Sequence, residues 1–278
     1  RQKHWGMFVQ DDYKVSKNLT LNLGVRYEIF AAPTDAHNRM ANFDLATGDI
    51  VLACIAVSCT AGVNTQFGNI SPRVGFAYTP GGGKTTIRAG GGISYFQPGW
   101  GGMLGTLNVN YPFVIGQAIT APGLYTPGPR LSDGYPPLPP VQPRPGAPAG
   151  HLIAVGGTAS VFWNPSDNKD TKLYQWSFSI QRQIAHGFVL DAAYVANAQN
   201  GRFISMNSIN IPAIGSDPTG KLTLQQRRPY YAVDPDLGLV TARLNVGRAT
   251  YNSFQLKAER RFANGFSLQS FYTVSKQL

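Results

Sequence analysis

From residue 19 to residue 29 apolar and polar side chains alternate without a break. Leu19, Leu21, Leu23, Val25, Tyr27 and Ile29 share one parity; Thr20, Asn22, Gly24, Arg26 and Glu28 share the other. A helix would scatter Arg26 and Glu28 among the leucines, whereas a strand sends successive side chains to opposite faces. The segment reads as a strand with one apolar and one polar face. The period recurs. Ile70, Val74, Phe76 and Tyr78 alternate with Ser71, Arg73, Gly75 and Thr79, and Ile87, Ala89, Ile93 and Tyr95 with Thr86, Arg88, Gly90 and Ser94. Further strands read as about 4–15, 172–184, 187–198, 250–262 and 265–276, which makes eight strands in four hairpins.

Two hairpins repeat at an offset of 78. Trp176, Phe178, Ile180, Arg182, Phe188, Leu190 and Tyr194 correspond to Phe254, Leu256, Ala258, Arg260, Phe266, Leu268 and Tyr272. The repeat lies in the apolar face, so that face meets a constant environment along the sheet. The turns are short: Ser16-Lys17, Pro80 to Gly83, Ala185-His186 and Ala263-Asn264. The links between hairpins are long, about 31–68, 97–171 and 199–249. Links of this length are uncommon in compact soluble domains. Ten of the 20 prolines fall between Pro122 and Pro148, which points to extended, poorly ordered chain there.

Apolar-parity aromatics gather at the long-loop rim (Trp5, Tyr27, Tyr95, Trp176, Tyr194, Tyr272), with Tyr13 and Tyr78 at the other rim. Two aromatic belts, short turns on one rim and long loops on the other describe an outer-membrane β-barrel. The expected fold is therefore all-β, an antiparallel transmembrane β-barrel with long extracellular loops. Its place is the bacterial outer membrane, with membrane lipid as a partner. The longest apolar run, Ile50 to Val57, is far short of the ~20 residues that a spanning helix needs. Arg182 and Arg260 share the apolar parity near the turn rim, where they can snorkel. Asp11 has the same parity and suggests a bulge or a shifted register in the first strand. A soluble β-sandwich would explain the alternation but neither the belts nor the loop asymmetry.

Several strings resemble TonB-dependent outer-membrane receptors of the Oar-like branch. They are Phe8-Val9-Gln10-Asp11-Asp12-Tyr13, Leu19 to Glu28, Ser71-Pro72-Arg73-Val74-Gly75-Phe76-Ala77-Tyr78, Ile87 to Gly92, Gln175 to Arg182, Tyr251 to Leu256 and Tyr272 to Lys276. The resemblance implies a 22-stranded barrel closed by an N-terminal plug. It further implies that an unidentified extracellular ligand binds outside, and that TonB then pulls on the plug to drive energised uptake. Eight strands with no plug and no TonB-contacting segment make this chain a partial barrel domain, 1–278, a slice from the middle. A structural or adhesive barrel without transport is the alternative.

On this reading Arg26, Glu28, Arg73, Arg88, Asp191, Lys257, Glu259 and Arg261 face the lumen. Cys54 and Cys59 fit a loop disulfide in an oxidising compartment, with two free thiols as the other reading. Loop aromatics (Phe67, Trp100, Tyr111, Phe113, Tyr125, Tyr135, Phe162, Trp163, Tyr230, Tyr231) could stack on a ligand or pack within their own loops. The net charge of +10 is scattered rather than clustered, so nucleic acid is not an expected partner. Gly81-Gly82-Gly83-Lys84-Thr85 has Tyr78 where a phosphate loop needs glycine, and reads as a turn. Glycines 90–92 lie within a strand and suggest a bend or a close contact with a plug or neighbour. Asp11-Asp12 point to opposite faces, no G-x-S-x-G occurs, and Asp234-Pro235-Asp236 reads as a turn. No enzyme, cofactor or metal site is expected.

Overall fold

The computed structural model describes residues 1–97, 106–116, 123–125, 128, 130–135, 137–154, 161–167, 169–263 and 265–278. In chain order the strands are β1 (His4–Ser16), β2 (Leu19–Phe30), β3 (Ala41–Phe43), β4 (Ile50–Leu52), β5 (Gln66–Tyr78), β6 (Thr85–Phe96) and β7 (Gln142–Pro143). They continue as β8 (His151–Ile153), β9 (Val161–Trp163), β10 (Thr171–Gln183), β11 (Phe188–Ile209), β12 (Val240–Ala263) and β13 (Phe266–Gln277). The eight long strands form one sheet in the order β1-β2-β5-β6-β10-β11-β12-β13, antiparallel throughout.

Register carries each face across the sheet. Leu23 stands opposite Val74, Val74 opposite Gly91, Gly91 opposite Trp176 and Trp176 opposite Ala196. One residue along, the row reads Gly24, Arg73, Gly92, Gln175 and Asn197. The apolar face is exposed, with Val74 at 60% and Leu256 at 43%. A sandwich would have buried it. Most buried apolar side chains lie instead in the links between hairpins.

The aromatic belts run diagonally through the register. From Trp5 on β1 to Tyr272 on β13 the upper belt drops ten residues of register, which is five rows when a row counts only residues on the same face, over seven strand steps. Ten residues at ~3.4 Å and seven steps at ~4.8 Å are each about 34 Å, so the belt is level when the strands tilt by about 45°. The lower series, Tyr13, Tyr78, Arg182 and Arg260, drops three rows in six steps, a tilt of about 35°. The repeated hairpin obeys the same stagger. Trp176 shares a row with Ala196 and Asn252, whereas its counterpart Phe254 lies one row lower, opposite Tyr194.

Three expectations change. Asp11 sits in regular register opposite Leu23, and the irregularity falls later, between Lys14 and Ser16. Asp11 stays on the apolar face, one row from Tyr13, close enough to the interface for its carboxylate to reach water. The first and third links shorten to 31–65 and 210–239, because β5 begins at Gln66 and β11 and β12 stay paired well above the belt. Gly201, at φ +77°, marks the register shift in that extension. Finally, the proline-rich link is not simply extended chain. It supplies β7, β8 and β9; β7 is the edge of a second sheet ordered β3-β4-β8-β7, and β9 pairs parallel to β12. Pro143 is tolerated on that edge because one side of an edge strand needs no N–H donor.

Ile180 and Ser177 lie on opposite faces of β10. Ile180→Arg in the full-length protein should cost about 2–4 kcal/mol, and Ser177→Arg under about 0.5, in urea titrations of protein folded into phosphatidylcholine vesicles.

Candidate functional site

The eight charged residues singled out from the alternation all fall on the polar face. Arg26 and Glu28 form an ion pair of 2.9 Å on β2, and Lys257 and Glu259 one of 2.6 Å on β12. Asp191 stands directly opposite Lys257, and the Arg88 guanidinium donates to Gln181 Oε1 at 3.0 Å. Arg73 shares the face opposite Gly24 and Gly92, and Arg261 lies two residues along β12 from Glu259, on whose carboxylate its charge acts. Residues two apart on one strand, as in both ion pairs, meet only because they share a face.

Gly90 and Gly92 open this face, while Gly91 between them lies on the apolar one. A Cβ on Gly92 would lie 3.0 Å from Arg73 Cγ and from Pro72 O, so glycine lets the arginine lie flat across the wall. A cavity of about 640 Å³ opens there, with Arg73, Gly90, Gln175, Ser177 and Asn197 among its lining.

Above the upper belt the three links pack into one cap. Its main core joins Phe43 and Ile50 from the first link, Tyr111 and Leu152 from the second, and Leu237 from the third. Irregular backbone buried this way must find partners for every N–H and C=O. Three buried asparagines supply them. Asn42 Nδ2 donates to Ala61 O at 3.0 Å and Asn164 O at 2.8 Å, while its Oδ1 accepts from the Phe43 and Asn164 amides. Asn110 donates to Ala41 O and Phe162 O and accepts from Phe162 N. Asn210 donates to Leu237 O and Gly238 O and accepts from Tyr230 N.

Charged and aromatic groups tie the links further. The fully buried Asp49 carboxylate accepts from Arg144 at 2.7 and 2.8 Å and lies 2.8 Å from His151 Nδ1. Tyr230 stacks edge-on against Phe43 at 5.3 Å and donates to Leu45 O at 2.8 Å. Gly48 is required beneath it: its φ is +77°, and a Cβ would lie 2.7 Å from the Tyr230 ring. Asp234 accepts from the amides of Ala154 and Asp236, so its carboxylate caps the turn's backbone. Burial pushes the Asp234 carboxyl above the usual range. A disulfide joins Cys54 and Cys59, whose Cα atoms are 4.2 Å apart.

The cap consumes most of the aromatics considered for ligand stacking. Tyr111 is buried, and Phe113, Trp163 and Tyr230 pack against the same core. Phe162 lies under the Arg243 guanidinium at 4.8 Å. Tyr231 is half-buried, and Trp100 lies outside the described residues. Phe67, Tyr125 and Tyr135 stay exposed. The cap aromatics thus pack across links, not only within their own. The asparagine network and the Asp49 cluster escaped sequence reading, because single polar residues in irregular chain leave no periodic signal.

A family model described as an outer membrane beta barrel domain matches residues 1–278. The chain belongs to that family. The apolar face is therefore the lipid face, and the protein resides in the bacterial outer membrane. Comparison with curated proteins found no match. Among solved structures, the outer membrane transporter YddB from Escherichia coli is similar at 12% identity and a TM-score of 0.51, over 99% of this chain and 24% of that one. The siderophore receptor PirA from Pseudomonas aeruginosa aligns at 12% identity and a TM-score of 0.49, over 99% and 34%. The FrpB iron transporter from Neisseria meningitidis aligns at 11% and 0.47, over 99% and 25%. At these identities the likeness is one of fold, and the barrel described here spans a quarter to a third of those chains.

Asn42→Ala would leave four buried backbone groups unpaired. It should cost more than about 2 kcal/mol of cap stability and open the links to protease while the barrel strands resist digestion. Asp170, at the cap-side end of β10, is buried beside Asn69 Nδ2 at 2.7 Å, and burial raises its carboxyl pKa despite hydrogen bonds from Asn69 and Gln97. A raised folded-state value means that protonation favours the fold. The stability contributed is present at low pH and lost as pH rises through that value. Protection factors for hydrogen exchange around Asn69 and Thr171, corrected for the intrinsic pH dependence of amide exchange, should therefore rise on mild acidification, and Asp170→Asn should abolish that rise.

Proposed function

We propose that this chain is a sector of a TonB-dependent receptor barrel of the Oar-like branch, and that the complete protein takes up an extracellular substrate by energised transport. The observation that carries the reading is the open sheet. Among the described residues β1 pairs only with β2 and β13 only with β12, so eight strands make a sector rather than a closed pore. In a 22-stranded barrel the polar face, with Arg26, Glu28, Arg73, Arg88, Asp191, Lys257, Glu259 and Arg261, lines a lumen wide enough for a plug. The cavity over glycines 90–92 suits close approach of such a plug. The cap, with Tyr125 and Tyr135 exposed, suits capture of an extracellular ligand. The strings that resemble the Oar-like branch support the finer assignment.

The coding sequence on both sides of residues 1–278 tests the architecture. The reading expects a signal peptide and plug upstream and about fourteen further strands of this type in the flanks. A signal peptide directly before Arg1 and a stop after Leu278 would overturn it. Transport is tested separately, by co-purifying the full-length protein with the periplasmic domain of TonB. Capture should depend on the segment preceding the plug. No capture would leave a structural or adhesive barrel.

A further inference from the structure

On the lipid face, Gly91 interrupts the wall of side chains. A Cβ there would lie 3.3 Å from Gln175 O and 3.6 Å from Trp176 Cβ, so the strands approach closely and leave a groove. The groove encloses about 390 Å³, walled by Pro72, Val74, Ile93, Tyr174 and Trp176, and its lining is mainly apolar. It lies at the level of the upper aromatic belt, since Trp176 belongs to both.

One cation stands directly above it. Lys172 occupies the same face of β10, four residues beyond Trp176 toward the cap, opposite Tyr95. Its Nζ lies 4.9 Å from the Tyr174 ring centroid and 5.7 Å from that of Tyr95. Two rings flank the ammonium, and one of them, Tyr174, also walls the groove. Lys276 on β13 stands at the same height above its own belt residue, four positions beyond Tyr272. Cations just above an apolar band complement anionic headgroups.

We propose that Gly91, Trp176, Tyr174, Tyr95 and Lys172 form a binding site for one phosphorylated lipid of the outer leaflet. An acyl chain lies in the Gly91 groove and a headgroup phosphate meets Lys172 between the two tyrosines. The site rests on the outer-membrane placement with the cap outward. It needs neither plug nor TonB, so its failure and that of the transport reading are separable.

The test uses the full-length protein, delipidated in detergent and incubated with bis-phosphorylated lipid A or its dephosphorylated form, with bound lipid counted by native mass spectrometry. Folding of every variant is checked by resistance to SDS without boiling. Wild type should retain the phosphorylated form selectively. Lys172→Gln should weaken retention at least about fivefold, roughly the weight of one basic residue at an anionic surface. Lys172→Arg keeps the charge and should keep the lipid, and Gly91→Leu fills the groove and should lose it. Equal retention of both lipid forms by wild type, or unchanged retention in Lys172→Gln and Gly91→Leu, would reduce the site to general lipid contact and overturn the proposal. Release of the lipid by inorganic phosphate alone would do the same, since the groove would then contribute nothing.

Discussion

Within a bilayer no water reaches the backbone, so every N–H and C=O must pair inside the protein. A continuous antiparallel ladder meets that demand from β2 to β12, and the rest of the structure follows from it. Ladder pairing sends side chains alternately to two faces, so one face can be made for lipid and the other for a polar interior. Closing a ladder round an axis requires tilted strands and staggered register. The diagonal course of both aromatic belts, and the one-row displacement between the repeated hairpins, are that stagger written in side chains.

The molecule reverses the usual arrangement of a soluble protein. Its sheet carries leucine, valine and phenylalanine on the lipid face and arginine, glutamate, serine and glutamine on the opposite one. The packed core that a soluble domain would place behind its sheet appears instead in the cap, where water surrounds the chain again. There the problem differs. Short strands and turns leave many backbone groups without ladder partners, and buried side-chain amides complete the pairing. Asn42 alone satisfies groups from two links, and Asp49 draws Arg144 and His151 to a third point of contact between the same links. The cap is held by polar stitching around an apolar centre.

How much of this could be read in the sequence follows from length scale. Strands of twelve residues repeat their alternation often enough to be unmistakable, and all eight were legible, as were both belts and the shared face of Arg26, Glu28, Arg73, Arg88, Asp191, Lys257, Glu259 and Arg261. Three-residue strands such as Ala41–Phe43 and Ile50–Leu52 complete too few alternations to show a period. They pair with each other, and the second of them also pairs with chain about a hundred residues away, as Ile50 does with Leu152. The prolines pointed to extended chain, yet an edge position such as that of Pro143 is compatible with a sheet. Asp11 drew a bulge onto the wrong residues, because parity was weighed without depth.

The interlocking of the three links has a consequence for recognition. Flexible loops lose conformational freedom when a ligand orders them, and that loss subtracts from affinity. Here Tyr111, Phe43 and Tyr230 have already ordered the main chain around one another. Any molecule that met exposed residues such as Tyr125 or Tyr135 would find a preorganised scaffold and lose little binding energy to folding it. The same separation lets tip residues vary without disturbing the centre, so new specificities can arise on an old frame.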